Sequence, residues 1–258
     1  MLNAVDELPV VEFSKTWFLL IPSRFPPVPL YKRIAGGRDD EVSALADTHN
    51  PRVKEMQLLT GGVTASVDVA SPRLQNWNLA PFTYPNPEGS WFFDQFTRCL
   101  EMSGDKQTAL AVSVAKRELF LDRTGEPPVG LDMRMLSREV SGRFLDARGF
   151  PGDLHQDARR SLGRSILKLR ESVYFDGVLF KSLERPIGER IAVLTGEVLR
   201  KAIQGEHFRY TWDGSRIVSL YEFNSTRTVE ENEIDPSHLR ISGLISIICT
   251  RKPISRRL

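Results

Sequence analysis

The chain has 258 residues, 41% hydrophobic and 26% charged, enough to bury the core of one large soluble domain or two small ones. Its 35 basic and 33 acidic residues leave a formal net charge of +2, which excludes a global field drawing in nucleic acid or membrane. Two cysteines, Cys99 and Cys249, make no disulfide framework and fit a reducing cytoplasm, a single bridge between them being the alternative.

The opening "MLNAVDELPVVEF" lacks the basic region of a secretory leader, and the longest apolar runs fall short of the ~20 residues that span a bilayer. A cytoplasmic chain without a membrane partner is expected. Residues 16–23, "TWFLLIPS", read as a buried strand, and the prolines of "RFPPVPLYK" hold the next segment extended. Helical character runs from Glu41 to Thr48, ends at Asn50-Pro51, and resumes briefly. "LTGGVTASVDVASPRLQ" reads as loop.

The stretch "SGDKQTALAVSVAKRELFLD" is the clearest helix. Ser103 or Asp105 can cap it, and Ala109, Val112, Ala115 and Leu119 are expected on its apolar face. "GLDMRML" reads as a strand, and "LHQDARRSLGRSILKLRES" as a helix burying Leu162, Ile166 and Leu169. "DGVLFKSL" and "GERIAVLT" follow as strands, and "HFRYTWDGSRIVSLYEF" as a hairpin turning at Asp213-Gly214. Strands interspersed with helices, without a βαβα rhythm, give a mixed α+β or α/β domain. From Asn224 onward the chain is polar and acidic. It then pairs Ile241, Leu244, Ile245, Ile247 and Ile248 with the basic end Arg251, Lys252, Arg256 and Arg257. A docked terminal element and a dedicated interaction segment are the two readings of it.

Generic motifs add little. "AGGRDDE" and "TGGVT" do not open a helix from a strand as phosphate cradling requires. His49, His155, His207 and His238 are scattered without metal-ligand spacing, so no metal is expected. Arg159, Arg160, Arg164, Lys168 and Arg170 line a basic helix face, read as solvated in preference to a nucleic-acid stripe.

Longer blocks say more. "IPSRFPPVPLYKRIA", "FTYPNPEGSWFFD", "KRELFLDRTGEPPVGLDMRML", "FDGVLFKSLERPIGERIAVL" and "HFRYTWDGSRIV", in this order, resemble the RES-domain family over residues 8–223. The remaining residues, 224–258, form an extension beyond the resemblance. It implies a fold related to ADP-ribosyltransferases, a mixed β-sheet flanked by helices. It also implies degradation of NAD+ by phosphorolysis or hydrolysis, with NAD+ as substrate or ligand and no other cofactor. The partner it implies is an Xre-type antitoxin, a RES partner or a second copy of the chain.

At the reactive positions the sequence departs from that pattern. Trp91 stands where the family has an arginine, Leu100 and Glu101 replace a tyrosine pair, and Val112 replaces a glutamate. Phe18 or Leu19 stands where another arginine precedes the first block. Arg24, Phe92, Asp94, Ser182, Arg185 and the Gly188-Glu189 pair are retained. Cleaving the ribosyl–nicotinamide bond develops positive charge on the ribose, so a nearby carboxylate is wanted. Holding the pyrophosphate wants bidentate arginines. The residues left for these tasks are Ser182 and Glu101 as the catalytic pair, with Arg24, Trp91 and Arg185 toward the nucleotide. A protein that binds without efficient cleavage, and a divergent enzyme with a rebuilt site, are both consistent with these substitutions.

Overall fold

The computed structural model describes residues 5–23, 36–60, 67–151 and 153–223 of the chain. The expectations for Arg24, the proline-rich segment, Cys249 and the tail 224–258 lie outside the described residues.

Among the described residues seven strands carry the fold: β1 (Val10–Pro22), β2 (Leu100–Ser103), β3 (Val129–Asp146), β4 (Gly177–Lys181), β5 (Glu189–Val193), β6 (Ile203–Trp212) and β7 (Ile217–Phe223). Their order is β1-β2-β5-β4-β3-β6-β7, and β1 also pairs along β3 from Val10↔Leu145 to Pro22↔Met133. Strands β1, β2, β5, β4 and β3 therefore close a ring, and the β6–β7 hairpin extends the sheet beyond it. Every pairing is antiparallel except β3–β4, so the sheet is mixed, as expected.

The helices are α1 (Asp39–Thr48), α2 (Pro51–Thr60), α3 (Asn76–Thr83), α4 (Lys106–Thr124) and α5 (Gln156–Leu169); α4 packs against β1 and β2, α2 packs on α3, and α5 adds Leu162 and Ile166 to the core. Helix α4 starts where Asp105 accepts the Thr108 N–H at 2.9 Å, so Asp105 is the cap. It stops at Gly125, whose φ of +63° is the left-handed conformation that costs glycine least. Its buried stripe runs through Ala109, Val112, Ser113 and Leu121. Leu119, expected inside, is exposed, because two positions from Leu121 is about 200° around a helix. Helix α5 buries Leu162, Gly163 and Ile166 as its periodicity demands, with Leu169 partly buried.

Alternation along the central strands sorts the core into two layers. Leu100, Met102, Leu179, Ile191 and Val193 face the layer that holds Trp17, Val140 and Phe144. Val178, Phe180 and Ala192 face the opposite layer, which α5 and the aromatic pair Phe92–Phe93 cover. A third cluster, around Leu110, Met133, Met135, Phe208 and Tyr210, lies under α4.

Candidate functional site

The site assembles on the face of β2-β5-β4 that α5 covers. Glu101 of β2 pairs with Ala192 of β5, and Arg190 lies two residues along that strand, so both side chains share one face. Phe180 of β4 pairs with Arg190 and joins them, with Ser182 just beyond the strand end. Two positions of extended chain thus place a carboxylate and a guanidinium side by side in the interior.

Glu101 is the hub. Its carboxylate accepts the Trp91 backbone N–H at 2.6 Å, Lys116 Nζ at 3.0 Å and the Arg190 guanidinium at 2.8 Å. Side-chain exposure is 9% for Glu101 and 2% for Arg190, so the pair is buried. Burial alone pushes this carboxyl up. The charges of Lys116 and Arg190 and the Trp91 N–H outweigh it and hold Glu101 down at about 2. At neutral pH it is ionised and fully engaged. Such a carboxylate can stabilise a cation but makes a poor proton acceptor.

Arg190 carries the network on to Ser182. Its second nitrogen group lies 3.6 Å from Glu184, and Glu184 accepts the Ser182 hydroxyl at 2.7 Å. Ser182 is itself buried. The structure therefore brings Glu101 and Ser182 into one connected chain of polar groups, with Arg190 between them. Arg190 was not anticipated. The available signal was an arginine at the head of the apolar run "IAV".

Trp91 stands over this network. Its indole stacks on Phe180, with centroids 6.2 Å apart and planes inclined by 13°. The Arg159 guanidinium lies 4.0 Å from an indole ring centroid, so α5 contributes directly to the site. The loop bearing Trp91 is fixed by Arg160, which donates to the carbonyls of Ser90 at 2.8 Å, Glu88 at 2.9 Å and also Phe93. Gly89 turns this loop at φ +69°, a region that side chains rarely adopt. The basic face of α5 is thus not merely solvated. Arg159 stacks, Arg160 binds backbone, and Arg170 donates to the Phe175 carbonyl at 3.1 Å.

Two small cavities flank Glu101 and Lys116. One, of about 110 Å³, is polar and includes Asn86, Ser90, Arg98 and Cys99 in its lining. The other, of about 90 Å³, is lined by Phe18, Leu19, Val112, Ser103 and Arg190. Among the described residues Glu101 is the one carboxylate lining either of them. Val112 therefore faces the same space as Glu101 and Arg190, and an apolar wall stands where the resemblance places an acid. Burial, with the Glu101 charge beside it, pushes the Cys99 thiol up to about 12, so it is no nucleophile at neutral pH.

Two further retained residues, Arg185 and Glu189, make ion pairs outside the Glu101 network. Arg185 donates to Asp105 at 3.2 Å and to Thr108 at 3.0 Å, joining the β4–β5 loop to the start of α4. Glu189 pairs with Arg148 at 2.6 Å and Lys15 at 3.5 Å. Arg24 lies outside the described residues. Among the described residues no helix is long and apolar enough to cross a membrane.

A family model described as the RES domain matches residues 68–213. A relative from Sinorhizobium fredii (strain NBRC 101917 / NGR234), uncharacterized protein y4oC, is 45% identical over 229 residues, which is 89% of this chain and 95% of its own. Among solved structures, a chain of the M. tuberculosis MbcT–MbcA toxin–antitoxin complex is similar over 79% of this chain and 91% of its own. The TM-score is 0.39 and the identity 13%.

Proposed function

This chain belongs to the RES domain family, and we propose that it binds NAD+ or a related nucleotide while cleaving it slowly or not at all. One observation carries the reading. The single carboxylate among the described residues that line the two cavities, Glu101, is held by three donors and neutralised by Lys116 and Arg190. A general base must be free to take a proton near neutral pH, and losing one typically costs ~10²–10⁴ in rate. Val112 and Trp91 supply no replacement, and Arg185 is occupied by Asp105. Ser182 and Trp91 remain as contacts for ribose and base, with Arg24 toward the phosphates. The residues from about 8 to 223 form the functional unit in this reading, and an Xre-type antitoxin or a RES partner is the class of protein it engages.

A second reading is favoured by the Ser182–Glu184–Arg190–Glu101 chain. An ionised carboxylate beside a cavity is suited to stabilising a cationic ribose, so a slow, rebuilt glycohydrolase is consistent with the same geometry. Nicotinamide release from NAD+ by the purified protein separates the two. The binding reading expects turnover well below ~1 s⁻¹. Faster turnover, abolished by Glu101→Gln, establishes the enzyme instead.

A further inference from the structure

We infer that Arg159, stacked on Trp91, together with Arg160 forms an anion site for the phosphate groups of a nucleotide, a placement that deepens the binding reading above. Three observations converge on it. The Arg159 guanidinium makes no ion pair among the described residues. It lies 4.0 Å over the indole, and its Nε–H is buried without an acceptor among the described residues. A guanidinium stacked on its face keeps its in-plane N–H groups for a ligand, and the fork geometry matches phosphate oxygens. Arg160 donates to backbone carbonyls of Glu88, Ser90 and Phe93, so its charge also stands without a carboxylate, while the Glu88 side chain is taken by Arg123 at 2.6 Å.

Charge balance points the same way. The cluster holds Lys116, Arg159, Arg160 and Arg190 against Glu101 and Glu184, a net +2. Glu101, at 3.0 Å from Lys116 and 2.8 Å from Arg190, and Glu184, at 3.6 Å from Arg190, together balance Lys116 and Arg190, so the excess resides on Arg159 and Arg160. A dianionic phosphate or pyrophosphate would neutralise it, whereas an uncharged nucleoside would not.

The test is calorimetric titration of the purified protein with inorganic pyrophosphate, ADP and adenosine, comparing wild type, R159A, R159K and R164A. Arg164 is an exposed α5 residue outside the cluster. Expected are competing binding of pyrophosphate and ADP, no binding of adenosine, and a loss of about tenfold or more in R159A. R159K should fall between, because it keeps the charge but not the fork, and R164A should match wild type. The proposal is overturned if wild type does not bind pyrophosphate at millimolar concentration. It is equally overturned if R159A and R159K bind as wild type does, or if R164A weakens binding as much as R159A, which would signify a diffuse field. These outcomes are separable from the fate of the binding reading. Fast NAD+ turnover, or failure to bind NAD+ with pyrophosphate binding retained, sinks that reading and leaves the Arg159 site standing.

Discussion

Replacing Glu101 with glutamine exposes what the buried network is worth. The substitution keeps the shape but removes the charge, leaving Arg190, 2% exposed, with Glu184 at 3.6 Å as its remaining counter-charge. Breaking a buried pair from one side costs roughly 3–5 kcal/mol. The depressed acidity gives a consistent figure. A carboxyl held at about 2 instead of its ordinary 4.5 contributes roughly 3 kcal/mol at 1.36 kcal/mol per pH unit. Because the folded-state value is the lower one, this stability is fully present above pH 4.5 and drains away as pH falls toward 2. Urea unfolding of wild type and Glu101→Gln at pH 7, and again near pH 3, measures both effects. At pH 7 the variant should be less stable by about 3 kcal/mol, or roughly 6–12 °C in Tm. Near pH 3 the gap should have narrowed. A variant as stable as wild type at pH 7, or a gap that does not depend on pH, refutes the reasoning.

Gly163→Ala should destabilise by about 1–3 kcal/mol, although alanine is the better helix former. A Cβ there would collide with the Phe92 carbonyl oxygen and push α5 off the Trp91 loop, so a raised melting temperature contradicts the packing. In a Cys249→Ser background, Cys99 should resist thiol reagents at pH 8 in the native state and react after denaturation, in keeping with its raised pKa. Rapid native-state labelling overturns that assignment. Asp105→Ala should cost about 1–2 kcal/mol, since it removes both the α4 cap and the Arg185 partner. Thermal unfolding checks this, and an unchanged midpoint rules it out.

Much of the fold was legible because its elements advertise themselves locally. Helices α4 and α5 show capping and apolar periodicity, and strands β4 to β7 show apolar runs bounded by glycine or turn residues. Strand β2 was missed because four residues, Leu100–Ser103, are too few to establish alternation, and Glu101 read as a residue before a helix. Strand β1 begins at Val10, and β3 continues from "GLDMRML" to Asp146. The polar stretch "SREVSGRFLD" is strand because β1 pairs with it residue by residue. Helix α3 contains Pro81 and was hidden by it. The site was legible where a residue type had changed, as at Trp91, Glu101 and Val112. It was opaque where long-range pairing decides burial: nothing local distinguishes the interior Arg138 from the exposed arginines of the chain, and the run "IAV" after the equally interior Arg190 is the one local hint of its burial. The α5 stripe was visible as charge, but the stacking of Arg159 on Trp91 depends on the sheet that brings them together.

The most direct measurement is proton NMR of NAD+ mixed with the purified full-length protein and followed over hours. Broadened NAD+ resonances, reporting binding, are expected, with no nicotinamide signal accumulating at a rate near ~1 s⁻¹ per protein molecule. Prompt conversion of NAD+ to nicotinamide, or sharp unperturbed NAD+ lines at millimolar protein, contradicts it.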